Sequence, residues 1–283
     1  MRGNNPFIKL MIDLKRNSKK KLVKANGLRT KLSSSYNPNQ NEDFKISRGK
    51  FSNFLTCKRC FYLDRVRGFD APGSPGWTLN ETTDFLLKKE FDYCRKKQIP
   101  HRLFISNNLE NLVPYDHPEI DSWRDSLHKG LKLRYKNSNI ILSGGVDDIW
   151  QDTISKKLII ADYKSQAKFG RVDEHYYLDD PYHEGYKIQM DFYAYLLIGM
   201  GFDVDQTSYF LVCNARRGDV NFNKRLNFDE YLIPYIWKID WIENELDEML
   251  NTMNSSQIPE PNHSCKNCAY SEQYARLICQ KKI

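Results

Sequence analysis

Apolar residues fall along this chain in short blocks, and the spacing within each block predicts a different element. Leu87, Phe91 and Cys94 sit at i, i+4 and i+7, the buried face of a helix that runs to about Lys97 and that Thr78-x-x-Glu81 opens as a capping box. Upstream, Ser52 caps a shorter helix through Leu55 and Cys57 towards Asp64, before two glycines and two prolines between Gly68 and Pro75 break the pattern. The runs Ile140 to Trp150 and Lys157 to Lys164 flank the polar stretch Gln151 to Lys156 and predict an antiparallel hairpin. Leu158 to Ala161 is unbroken apolar, as a central strand is. Pro181 precedes a helix from about His183 to Met200, with Ile188, Phe192, Tyr195, Leu196 and Gly199 facing inward. Ser208 to Cys213 is a further strand, Asp229 to Met253 a long helix interrupted at Pro234, and the proline- and cysteine-rich stretch from Ile258 coil. No internal repeat is visible. The order of elements predicts a mixed α/β fold around one small sheet.

At 283 residues the chain suits one large domain with appendages, since single cores stop growing at roughly 250 to 300 residues. With 40% hydrophobic and 13% aromatic residues it is neither disordered nor fibrous. The net charge of +7 is uneven: Met1 to Lys31 holds ten Lys/Arg against Asp13 alone, and the remainder is slightly acidic. That segment is either a phosphate-neutralising arm or a solvated tail. Ser33 to Asp43 is Ser/Asn/Gln-rich and predicts a linker, so the expected division is a flexible basic arm and linker over 1–44 and a folded domain over 45–283. No run of about 18 apolar residues occurs and no signal peptide is recognised, so a soluble cytoplasmic protein without membrane contact is expected. Seven cysteines in a chain of this length point to metal or core roles rather than to a disulfide scaffold.

The candidate chemistry lies in two constellations. Gly145-Val-Asp147 is followed by Ile160-Ala-Asp162-Tyr-Lys164. Asp162 and Lys164, two apart on a strand, share a face, and hairpin pairing brings Asp147 beside them. Two carboxylates and an ammonium suit a magnesium or manganese ion and a phosphodiester. Asp148 competes with Asp147, but strand parity points it to the other face. Gln189 and Tyr193 are i, i+4 neighbours that reach one site. Asp84, three residues before Leu87 on the inward face, needs a partner or a cation. The second constellation is Cys57-Lys-Arg-Cys60 with Cys265-Lys-Asn-Cys268, enough thiolates for tetrahedral zinc or for an iron-sulfur cube, in a clasp joining 45–68 to 258–283. Cys94 and Cys213 are expected in the core, and His175 and His183 at the surface or in loops. Tyr176, Tyr177, Tyr182 and Tyr186 either stack on unpaired bases or pack half-buried.

G-x-D, an apolar strand ending D-x-K, and Q-x-x-x-Y on the next helix resemble the RecB-like branch of the PD-(D/E)XK nucleases, over roughly Ser52 to Cys268. The resemblance implies a restriction-endonuclease-like core, a small central mixed β-sheet flanked by helices. It implies a metal-dependent DNA nuclease, read as an exonuclease of repair, recombination, or phage or CRISPR DNA processing. A helicase or a recombination or CRISPR protein is the implied partner. Metal ligands are then Asp147, Asp162 and Asp84, the last where the branch commonly has histidine. Lys164, Gln189 and Tyr193 complete the implied catalytic set. Members such as the CRISPR-adaptation nuclease hold a four-iron cluster on one N-terminal and three C-terminal cysteines, which puts iron-sulfur ahead of zinc here. Cys60 departs from that pattern, and Cys279 is the alternative third C-terminal ligand. Three rival readings stay open: a non-cleaving DNA-binding protein on this fold, a sequence-specific endonuclease, and a structural zinc adaptor.

Overall fold

The computed structural model describes residues 14–29, 31–73 and 76–280. Of the basic segment, residues 1–13 lie outside the described residues; from Leu28, which bridges to Phe69, the chain is paired to the body, and Arg29 forms an ion pair with Asp64. Tyr36, in the stretch read as linker, is buried and donates its hydroxyl to Asn254 Oδ1 at 2.9 Å.

The body opens with β1 (Phe44–Ser47), α1 (Arg48–Thr56) and α2 (Lys58–Arg65). The single helix expected from Ser52 is two, because the backbone at Cys57 is extended and ends one while starting the other; Ser52 lies inside α1, whose N-cap is Ser47. In α3 (Thr78–Lys97) Leu87, Phe91 and Cys94 are buried as their spacing requires. The capping box is not formed: Trp77 holds the N-cap position, and Thr78 is already helical, its carbonyl accepting from Thr82 Oγ1. There follow α4 (Arg102–Ser106), β2 (Leu112–Pro114), α5 (Ile120–Arg124), β3 (Leu131–Arg134), β4 (Ile140–Gly144), β5 (Asp148–Asp152) and β6 (Leu158–Gln166). The chain continues through α6 (Glu174–Asp179), α7 (Glu184–Gly199), β7 (Thr207–Ala215), β8 (Phe228–Ile236), α8 (Ile242–Asn254) and α9 (Lys266–Gln280).

The strands form two sheets where one was expected: β1-β4-β3, and a mixed five-stranded sheet in the order β2-β5-β6-β7-β8. The run Ile140 to Trp150 is therefore not one strand but two, in different sheets, and only its second half pairs with β6, Asp148 opposite Ala161. β6 and β7 are parallel, with α6 and α7 in the crossover between them, as a parallel pair demands. Alternation along β6 then sorts the core. Leu158 and Ile160 pack with Phe210 and Val212 against Phe192 and Leu196 of α7, while Ile159, Ala161 and Tyr163 pack with Leu211 and Cys213 against Leu87 and Phe91 of α3. The central mixed sheet is thus flanked by helices, as expected. α7 is buried more widely than its expected stripe: Met190, Ala194 and Leu197 are in the core as well, whereas Ile188 and Tyr195 are half-buried.

Two further expectations give way. The first half of the predicted helix Asp229 to Met253 is the edge strand β8, where Pro234 needs no ladder hydrogen bond on its open side; Ile233, Ile236 and Trp237 also fit the i, i+3, i+4 spacing of a helix. The C-terminal coil holds α9, which begins only after the last of the prolines, Pro261. No helix among the described residues is long and apolar enough to cross a membrane.

The chain changes sheets between Gly144 and Asp147, and both glycines are needed there. A Cβ on Gly144 would lie 2.6 Å from Tyr193 Cε1, and one on Gly145 2.5 Å from Ser126 Cα. Gly145→Ala is expected to cost about 1–3 kcal/mol through this forced displacement. A lower urea midpoint with an unchanged slope is the sign to look for; an unchanged midpoint would mean that the Ser126 segment moves aside freely.

Candidate active site and cysteine centre

The switch between sheets delivers Asp147 to the middle of β6. Its Oδ2 accepts the backbone N–H of Tyr163 at 2.9 Å, which holds the carboxylate against the strand carrying Asp162. Asp162 has no solvent exposure. Its Oδ2 takes the Lys164 ammonium and its Oδ1 accepts Gln189 Nε2. Gln189 Nε2 also donates to the Tyr193 hydroxyl at 3.1 Å, and that hydroxyl donates to the Gly145 carbonyl at 2.5 Å. One turn of α7 therefore ties β6 to the glycine switch. Lys164 Nζ lies 4.6 Å from the centroid of the Tyr186 ring, a second restraint on the ammonium.

Asp84 approaches from α3. Its Oδ2 accepts from Lys88 Nζ at 2.9 Å, and the same ammonium is 3.8 Å from Asp147 Oδ1. Burial raises the pKa of Asp84, the Asp147 charge adds to that, and Lys88 opposes it. Asp162 is pushed up to about 7, first by burial, against the pull of Lys164 and with the Asp147 charge adding to it. Three carboxylates thus share two ammonium groups in a space that penalises their charge. Asp84 Oδ1 is buried with no hydrogen-bond partner among the described residues. An unpartnered carboxylate oxygen and two further carboxylates are donors of the kind a hard divalent cation takes, so magnesium or manganese fits their chemistry, although the three do not converge within 4.8 Å of one another as the cysteines do. Lys88 was missed in the sequence, although its i, i+4 distance from Asp84 could have found it.

Asp148 faces the other way, as parity requires, and is fully buried. Its Oδ1 accepts from Arg95 at 2.5 Å, Arg124 at 2.7 Å and the Ile149 N–H at 2.8 Å, and its Oδ2 from the Tyr163 hydroxyl at 2.8 Å. This network joins α3, α5, β5 and β6 directly beneath Asp147 and Asp162. Arg95 and Arg124 carried no signal in the sequence beyond Arg95 adjoining the buried Cys94. Asp148→Ala would remove the buried anion that Arg95 and Arg124 share and leave only the more exposed Asp92, 3.4 Å from Arg95 and 2.8 Å from Arg124, between them. The expected loss is about 3–5 kcal/mol. Urea titration measures it, and a loss below about 1 kcal/mol would show the guanidiniums re-paired elsewhere.

The second constellation also assembles. Cys57 and Cys60 on one side and Cys265 and Cys268 on the other bring their sulfurs within 4.8 Å of one another, bridging the N- and C-terminal segments. Burial works against ionisation of Cys57, but backbone N–H groups of Cys60 and Asn262 and the neighbouring thiols bring it down to about 7. Burial pushes Cys268 up to about 11, and Cys60 up as well. Such a group fits a thiophilic cation. Cys279 is exposed and outside the group. Cys94 and Cys213 are buried in the core. His175 is exposed, but His183 is buried rather than at the surface, its ring stacked on Tyr186. The tyrosines divide: Tyr177 is buried and Tyr186 half-buried, while Tyr176 and Tyr182 are exposed.

No curated protein matches the sequence. Among solved structures, a candidate exonuclease from Eubacterium rectale is similar at 13% identity with a TM-score of 0.40, over 80% of this chain and 87% of that one. A family model described as the PD-(D/E)XK nuclease superfamily matches residues 83–273, which spans Asp84, the sheet switch, β6, α7 and the C-terminal cysteine pair. With more than half of its length matched, this chain belongs to the PD-(D/E)XK nuclease superfamily.

Proposed function

We propose that the chain is a deoxyribonuclease dependent on magnesium or manganese, with Asp147, Asp162 and Lys164 at its centre. The observation that carries the reading is the meeting of a fully buried strand carboxylate with a second carboxylate from the sheet switch and an ammonium two residues further along the same strand. Asp147 and Asp162 would hold the cation, with Asp84 Oδ1 as a further oxygen; when bound, the cation supplies Lewis acidity at the scissile phosphate.

The protein's own groups do the rest. Lys164 presents a fixed ammonium that orients water for attack and offsets charge developing on the phosphate oxygens. Gln189 Nε2 and the Tyr193 hydroxyl are engaged inside the protein, so the two residues act here as positioning residues: the amide nitrogen aims Asp162, and the phenol locks the glycine switch from which Asp147 projects. The Asp148 network keeps Tyr163 in place, and the Tyr163 N–H holds Asp147. DNA is the substrate of this reading, cut from an end.

The test is cleavage of end-labelled linear and closed circular DNA, single- and double-stranded, with magnesium, manganese or EDTA. Wild type should cut linear DNA with either metal and not in EDTA, and spare closed circles. Lys164→Ala should cut roughly 10²–10³-fold more slowly, the size of effect seen when a preorganised electrostatic contact is lost. Asp162→Asn should abolish cutting. Cutting in EDTA, or undiminished cutting by Lys164→Ala, would reject the site. Cleaved circles would make the enzyme an endonuclease, and binding without any cleavage would favour the non-cleaving reading.

A further inference from the structure

We propose that the four clasp cysteines hold a single zinc ion in tetrahedral sulfur coordination, and that the four-iron cluster implied by the resemblance does not fit them. Sulfur spacing separates the two. Around one zinc ion, with bonds of about 2.3 Å, tetrahedral geometry puts the sulfurs about 3.8 Å apart. In a four-iron cube each thiolate binds a different iron, which carries every sulfur outward and sets them roughly 6 Å apart. Here Cys57 and Cys268 are separated by 3.7 Å, Cys60 and Cys265 by 3.6 Å, and Cys60 and Cys268 by 3.4 Å. No pair in the group exceeds 4.8 Å.

The surrounding chain holds that spacing. Cys57 is the N-cap of α2 and Cys60 lies in its first turn; Cys265 immediately precedes α9 and Cys268 lies in its first turn. Each C-x-x-C pair therefore brackets a helix start, where N–H groups and the helix dipole favour thiolates. Polar ties then fix the two helix starts to each other. Arg59 Nε donates to the Pro259 carbonyl at 2.9 Å and its Nη1 to Glu272 at 2.7 Å, and Asn262 Nδ2 donates to the Thr56 carbonyl at 3.0 Å. These ties hold the two helix starts at the separation at which the sulfurs meet. The C-terminal group of three cysteines also fails to form, since Cys279 is exposed and lies outside the cage. Soft ligands in a closed tetrahedron suit zinc in a structural role.

This inference stands apart from the cleavage reading, and either can fail alone. The test uses the full chain purified without oxygen, with metals counted by plasma mass spectrometry and acid-labile sulfide assayed on the same sample. One zinc per chain, no labile sulfide and no visible chromophore are expected, and cobalt(II) exchanged into the site should give the absorption of a tetrahedral thiolate complex. Iron with sulfide, iron alone, or no metal would each overturn the proposal. Cys60→Ser and Cys265→Ser should fall below one zinc per chain, while Cys279→Ser should keep it; zinc lost in the Cys279 variant would also overturn the ligand set. Because the metal is counted on the wild type, a variant that fails to fold leaves the test intact.

Discussion

A carboxylate removed from water in the middle of a sheet is destabilising unless cations and N–H donors surround it. The central pair of strands carries two such groups back to back. Asp162 on β6 and Asp148 on β5 are both without solvent exposure, one facing α7 and the other facing α3. Each is compensated differently. Asp148 is saturated: two guanidiniums, a phenol and an N–H occupy its oxygens. Asp162 is only partly relieved, by one lysine and one amide, and its neighbour Asp147 adds to the crowding. The saturated group is scaffold, and the crowded one has room in its electrostatics for a further cation.

That asymmetry explains why the rest of the molecule is arranged as it is. Asp147 and Asp148 are consecutive and so face opposite sides, and the chain passes from one sheet to the other just before them. The bend is made by Gly144 and Gly145, at positions where a Cβ would strike Tyr193 or Ser126. Tyr193 in turn closes the bend by bonding the Gly145 carbonyl, and it stands one turn beyond Gln189, which holds Asp162. Helix, glycine bend and strand are three supports of one carboxylate pair.

What was legible in the sequence was what local spacing encodes. Parity separated Asp147 from Asp148 and placed Asp162 with Lys164; the i, i+4 relation put Gln189 beside Tyr193; two C-x-x-C pairs announced a shared cage. What was not legible depended on partners distant along the chain. Arg95 and Arg124 lie 53 and 24 residues from the Asp148 they neutralise. The division into two sheets depends on β1 pairing in parallel with β4 across almost a hundred residues. The apolar run Tyr231 to Ile236 does not by itself separate strand from helix, and only the place of β8 at the sheet edge makes Pro234 acceptable in a strand.

The cage and the acidic site are connected by packing rather than by chemistry. Cys57 ends α1, and α1 packs on α7, with Phe51 at 5.3 Å ring to ring from Phe192 and at 6.0 Å from Trp241. Phe54 stacks edge-on against Phe61 of α2, so α1 and α2 bend around Cys57 as one unit. The helix pressed by Phe51 is the one that carries Gln189 and Tyr193. Asp191 on the same helix is held by Tyr235 at 2.9 Å, the Lys238 N–H at 3.0 Å and Trp241 at 3.0 Å, which fixes α7 from the β8 side too. A closely packed interior transmits such restraints because its side chains have little free volume in which to relax. A metal joining the two chain segments would therefore stiffen the backing of α7, and with it the orientation of the buried carboxylate, without touching any reacting atom.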